Sequence, residues 1–178
     1  MLISGFGMVE DIATCITMDA KTSGNLLVLV GETTSAMGGS HLLMIDPEAN
    51  CDNSLPRVSL TDGPKNARVV FEAIQQGLVT SAHDCSEGGV LVAAAEMAFG
   101  GGIGVELSLQ EESLCFAETP SRYLLEVNIS KVEQLKLLLG ETPCEVIGTF
   151  NDTNMLTLGD ASWKLEDLMQ SWMTGMVI

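Results

Sequence analysis

Positive charge is scarce in this chain: 8 lysines and arginines stand against 24 aspartates and glutamates, for a formal net charge of −16. A surface of that sign repels phosphate backbones, which excludes nucleic acid as a partner. An anionic small molecule would have to be held by backbone N–H groups, by a metal ion, or by local cations such as Arg57, Lys65, Arg68 and Arg122. Cysteine pairing is missing too. The five cysteines (Cys15, Cys51, Cys85, Cys115, Cys144) are odd in number and include no C-x-x-C pair, so neither a disulfide framework nor a zinc site is read. Long apolar runs are also lacking. VLVAAAEMAF is interrupted by Glu96 and followed by GGGIG, short of the roughly 18–20 residues a membrane span needs, so no membrane association is expected. The opening MLISGFGMVEDI has no basic n-region and no unbroken apolar stretch, so no secretory signal is read and a reducing cytoplasm is the expected location. Apolar and glycine residues begin directly at Met1, as in a chain joined in its middle, and a fragment of a longer protein is expected.

What is present is enough for a core. With 178 residues, 46% of them hydrophobic and 18% charged, the composition is that of one globular domain covering 1–178. IATCITM and NLLVLVG, separated by the turn-like DAKTSGN, read as two strands in hairpin-like succession. HLLMI is either a short strand or a helical turn, and residues 46–61, with two prolines and no period, read as a surface loop. Asp62 is a plausible N-cap with Pro64 in the first turn, and Ala67, Val70, Phe71 and Ile74 recur at helical steps until Gly77. LVTSAH then reads as a buried strand. In the helix that follows, Val90, Leu91, Ala94, Ala95 and Ala98 face a core while Glu96 looks outward. GVELSL and YLLEVNI are strands, KVEQLKLLLG is a helix stopped by Gly140, CEVIGTF-NDTN-MLTL reads as a hairpin, and EDLMQSW is a closing helix. Strands and helices mix without strict alternation, which predicts an α+β layered domain with a mixed or largely antiparallel sheet.

The densest chemistry lies in SAHDCSEGG, residues 81–89. His83, Asp84, Cys85 and Ser86 include the ingredients of a nucleophilic triad, but adjacent residues on an extended turn point in different directions, which argues against one. Metal binding would need further ligands, the only other histidine is His41, and no metal site is assigned. Two readings remain open. In the first, Ser86 caps the helix and Glu87 favours its dipole. In the second, the Gly88–Gly89 pair, which costs up to roughly 1 kcal/mol per residue relative to alanine in a helix, is offset by a closely approaching anion held on backbone N–H groups. Elsewhere, Glu32 and Ser40 read as turn and cap residues and His41 as a hydrogen-bonded surface histidine. Arg122 is either solvated or paired with a neighbouring surface.

Several segments together resemble a known family. SGFGMVEDI (4–12), VGETTSAMGGSHLL (30–43), AHDCSEGGVLVAAAEMAFGGGIGVEL (82–107), FAETPSRYLLEV (116–127) and VIGTF (146–150) are similar to the second, carboxy-terminal AIR-synthase-like domain of the phosphoribosylformylglycinamidine synthase family, synthetase subunit. The H-D-x-S-E-G-G block is the most specific of these. The resemblance implies the AIR synthase C-terminal-domain fold. It also implies a parent enzyme of purine biosynthesis that converts the amide of formylglycinamide ribonucleotide to an amidine, using ATP and ammonia from a glutaminase domain or subunit. In that family ATP, magnesium and the acid–base groups lie mainly on amino-terminal AIR-synthase-like domains, so no catalytic residue is assigned here and the isolated chain is expected to be inactive. What the resemblance leaves to this domain is structure and a phosphate or nucleotide site, auxiliary or degenerate, formed by His83, Asp84, Ser86, Glu87, Gly88, Gly89 and Glu118. Glu118-Thr119-Pro120 stands where the family's first half carries E-S-Q. Proline offers neither an amide side chain nor an N–H, which favours degeneracy. The alternatives are a domain of another AIR-synthase-superfamily enzyme, or a non-catalytic module with no ligand.

Overall fold

The computed structural model describes residues 4–5, 7–9, 11–109, 111 and 114–175; Phe6 and Glu10 of the SGFGMVEDI segment lie outside them. In chain order the elements are β1 (Leu26–Val30), α1 (His41–Ile45), α2 (Asp62–Gln75), β2 (Ser81–Asp84), α3 (Gly89–Gly101), β3 (Gly104–Leu107), β4 (Tyr123–Val127), α4 (Val132–Leu139), β5 (Cys144–Asn151), β6 (Met155–Leu158), β7 (Ala161–Lys164) and α5 (Leu165–Thr174). The strands form one seven-stranded sheet in the order β2-β4-β1-β5-β3-β6-β7. Every neighbouring pair is antiparallel except β3 and β6, which run parallel.

The apolar run LLVLV makes β1 the middle of a sandwich because both of its faces are covered. Leu27 and Leu29 join the core under α3 and α5, whereas Val28 and Val30 join the core under α2 and α4. Leu124 and Leu125 of β4 divide in the same way, and both are fully buried. Each such side chain contributes about 1.5–3 kcal/mol through burial. The result is the layered α+β domain with a mixed sheet that the element pattern predicts.

Local expectations fare unevenly. Residues 12–17 are no strand: Ile12–Thr14 form a 3-10 turn capped by Asp11, and the chain then runs along the outer edge of β2, where Ala82 N donates to Thr17 O at 3.3 Å. HLLMI is helical, with Ser40 at its N-cap. Helix α2 takes Thr61 as its N-cap, with Asp62 as its first residue. Its buried face is Asn66, Val70 and Ala73, while Phe71 is 59% exposed. The predicted β5–β6 hairpin does not form, because β3 is inserted between the two strands. β6 instead turns back antiparallel on β7, a strand the sequence reading leaves out.

One buried charge fastens the amino-terminal part of the domain to the sheet. Glu126 of β4 has no exposed surface. Its carboxylate accepts from Lys21 N (2.8 Å), Thr22 N (2.9 Å), Asn25 Nδ2 (2.7 Å) and Ser81 Oγ (2.6 Å), so donors supplied by the chain itself replace water around the charge.

Candidate functional site

The turn from β2 into α3 has a backbone that only glycine accommodates easily. Gly88 and Gly89 both lie in the left-handed region, at φ +76° and +68°. A Cβ on Gly89 would sit 2.5 Å from Ala117 O and 2.8 Å from Cys115 O. Gly89 is therefore explained by the close approach of the 115–117 backbone, to which Leu91 N also donates at 3.1 Å, whereas a Cβ on Gly88 would meet the Val92 side chain. The expected Ser86 cap does not form. Gly88 is the N-cap residue of α3, and Ser86 Oγ donates instead to Asp84 Oδ2 at 2.6 Å.

An anion does occupy the cradle, and the chain supplies it. Glu118 Oε1 accepts from Gly88 N at 2.8 Å and from His41 N at 2.9 Å, with His41 Nδ1 a further 3.1 Å away. The Gly89 amide is taken by Ser86 O at 3.1 Å. Burial works against the charged form of Glu118, but the Gly88 and His41 amides outweigh it and hold the carboxyl below the usual range. Glu118 thus ties the N-terminus of α3 to that of α1.

Beside this contact lies a cleft of about 470 Å³ lined by Asp84, Ser86, Glu87, Glu118, Arg122 and Tyr123, among others. Of the seven residues expected to bind a ligand, Asp84, Ser86, Glu87 and Glu118 line it, whereas His83, Gly88 and Gly89 do not. The Ser86 hydroxyl is the main influence drawing the Asp84 carboxyl below its ordinary value. Burial, with a smaller contribution from Asp84, raises the Tyr123 phenol. Cys85 is no nucleophile: burial pushes its thiol up to about 12, which leaves no thiolate at neutral pH.

Arg122 is neither solvated nor on a free surface. It is 1% exposed. Nε donates to Thr119 O at 2.9 Å, one terminal nitrogen to Thr33 Oγ1 at 3.0 Å, and the other to Ala117 O. These bonds set the course of the loop that carries Glu118. Asn66 of α2 grips the same loop, donating from Nδ2 to Ser121 O at 3.0 Å.

His83 turns away from the cleft toward α3. Its Nε2 lies 2.6 Å from Glu96 Oε2, and its Nδ1 lies 3.3 Å from Asp84 Oδ1. The other Glu96 oxygen accepts from Trp172 Nε1 of α5 at 2.9 Å, so Glu96 is a partly buried link between elements and not an outward-facing charge. The available signal was Glu96 itself, the only charged residue in the apolar text of α3. Among the described residues no group of three or more His, Cys, Asp or Glu is placed to hold a metal ion. No helix among them is long and apolar enough to cross a membrane.

Comparison with known proteins identifies the family. The family described as AIR synthase related protein, C-terminal domain, matches residues 22–160. The phosphoribosylformylglycinamidine synthase subunit PurL of Thermus thermophilus is 33% identical over 162 residues, which are 87% of this chain and 22% of that protein. The chain thus spans less than a quarter of that curated relative's length. Two solved structures share the fold: T. maritima PurL complexed with FGAR (TM-score 0.75, 15% identity, covering 88% of this chain and 30% of that one) and PurLQS from Thermotoga maritima (TM-score 0.71, 16% identity, covering 88% and 28%).

Proposed function

The chain belongs to the AIR synthase related protein family, as its C-terminal domain, and from that premise we propose that it serves as the carboxy-terminal AIR-synthase-like domain of a phosphoribosylformylglycinamidine synthase synthetase subunit. The observation that carries this reading is the 33% identity to PurL, which runs through nearly the whole chain. The parent enzyme would convert the amide of formylglycinamide ribonucleotide to an amidine, with ATP activating the amide oxygen and ammonia displacing phosphate. A PurL structure with FGAR and another with ATP support that substrate pair for the parent. Amino-terminal AIR-synthase-like domains would supply ATP, magnesium and the acid–base groups, and a glutaminase domain or subunit would supply ammonia; the PurLQS assembly supports partners of that kind. A soluble cytoplasmic location goes with such a pathway.

Within that enzyme this domain has a structural role. The self-occupied cradle favours a degenerate site over a working auxiliary one, since an incoming phosphate would have to displace Glu118 from Gly88 N and His41 N. The test has two parts. The purified chain is incubated with ATP, magnesium, ammonia and formylglycinamide ribonucleotide, and no turnover is expected. It is then mixed with Thermus thermophilus PurL truncated before its own matching segment, and association with partial return of synthetase activity is expected. Turnover by the chain alone, or failure to associate with and rescue the truncated subunit, would overturn the reading. Titration with ADP while following the Gly88 and Gly89 amides separates the two site readings: unmoved amides mean degeneracy, and saturable shifts mean a live site.

A further inference from the structure

The contacts of His83 make an unusual demand on its ring. Both nitrogens face carboxylate oxygens, Glu96 Oε2 at 2.6 Å and Asp84 Oδ1 at 3.3 Å. A neutral imidazole has one N–H and one lone pair, so only the imidazolium satisfies both carboxylates at once. On losing a proton the ring must turn a lone pair toward one of them.

The two carboxylates are not equal in that choice. The Glu96 side chain is 20% exposed, and its second oxygen is already held by Trp172. Leaving it opposite a lone pair would strand a half-buried charge. The Asp84 side chain is 62% exposed, keeps its bond from Ser86 Oγ, and borders the cleft, where water can replace the lost donor. The proton therefore stays on Nε2, and Asp84 is the partner that lets go.

We propose that His83 is a proton-operated latch on Asp84: the charged ring holds the carboxylate against β2, and the neutral ring keeps Glu96 and releases Asp84 to the cleft. Asp84 and Glu96 are the only carboxylates within 4.0 Å of the ring nitrogens among the described residues. Tyr123 of β4, opposite Asp84, is raised and stays neutral where imidazoles titrate. Glu87, Glu118 and Arg122 stand around the cleft, and Asp19 and Lys21, in the segment flanking β2, pair with each other. The linkage is reciprocal: a ligand donor that draws Asp84 into the cleft expels the ring proton. The latch does not depend on which ligand the cleft takes.

The experiment is NMR on the full chain from about pH 5 to 8, the interval in which imidazoles change charge, following the Asp84 carboxyl carbon, the His83 ring nitrogens and the Trp172 indole N–H. The Asp84 signal is expected to move in step with loss of the ring proton. The neutral ring should be protonated on Nε2, and the Trp172 signal should stay in place. His83→Gln, whose amide can still donate to Glu96, should abolish the movement of Asp84. A neutral ring protonated on Nδ1, a stationary Asp84 signal, or movement that survives in His83→Gln overturns the proposal. Should that variant fail to fold, the wild-type tautomer and the Asp84 signal decide alone.

Discussion

Glu126 and Glu118 are two answers to one problem, a carboxylate surrounded by the chain's own donors and paired with no lysine or arginine. Glu126 is fully buried and takes four donors from two separate parts of the chain, residues 21–25 and Ser81. Glu118 sits at the rim of a cleft with a side chain 19% exposed, and it takes two amides and lies beside one imidazole. The difference is what water can do when the acid is removed. Around Glu126 nothing replaces it; around Glu118 solvent can enter. The first is an architectural bolt and the second a removable plug, although both resemble a bound anion.

The comparison is broken most sharply at the bolt. Glu126→Ala should lower unfolding free energy by about 3–5 kcal/mol, because several buried donors lose their acceptor at once; urea unfolding followed by tryptophan fluorescence measures it. A loss no larger than that of the plug variant would erase the distinction. Gly89→Ala is expected next, at about 2–3 kcal/mol, since a left-handed backbone and a Cβ 2.5 Å from Ala117 O both resist it. Differential scanning calorimetry should show that loss without any change in the protection of the Lys21 and Thr22 amides, which belong to the bolt. Glu118→Ala should cost only about 1–2 kcal/mol and should speed hydrogen exchange at Gly88 N and His41 N.

The smallest expected effect is in acid. The folded Glu118 carboxyl lies below its ordinary value of 4.5, so its contribution is complete above that pH and disappears as pH falls through the depressed value. Asp84 acts in the same direction from 3.8. Glu118→Gln should therefore flatten the decline of stability below about pH 4.5, by under about 1 kcal/mol across the transition. An unchanged slope would mean that the plug carries no differential charge energy.

How much of this could be read from the sequence depends on the distance over which each contact acts. The strand LLVLV, the helix after SEGG and the Ser40 cap were legible because periodicity and capping are local. The apparent β5–β6 hairpin was misread because turn residues at 151–154 announce a reversal without saying which strand lies alongside. Site residues divide in the same way. Asp84, Ser86, Glu87 and Glu118, the last named through family resemblance, line one cleft, but the partners they bond to were not legible. Nothing near residue 88 shows that the anion in its cradle is residue 118, and nothing near His83 points to Glu96 and Trp172. Arg122 stayed open between a solvated and a paired cation because two of its three acceptors are carbonyl oxygens, and every residue has one of those.

The insertion of β3 between β5 and β6 also orders events in time. The closing β6–β7 hairpin has no sheet to join until the glycine-rich exit from α3 has been laid against β5. That step closes the loop between Leu107 and Gly148, and the entropy of such closures slows folding more than it lowers stability. The β6–β7 hairpin is therefore the last part of this sheet able to dock. Until it does, β3 presents a bare edge on which a stalled or truncated chain would aggregate.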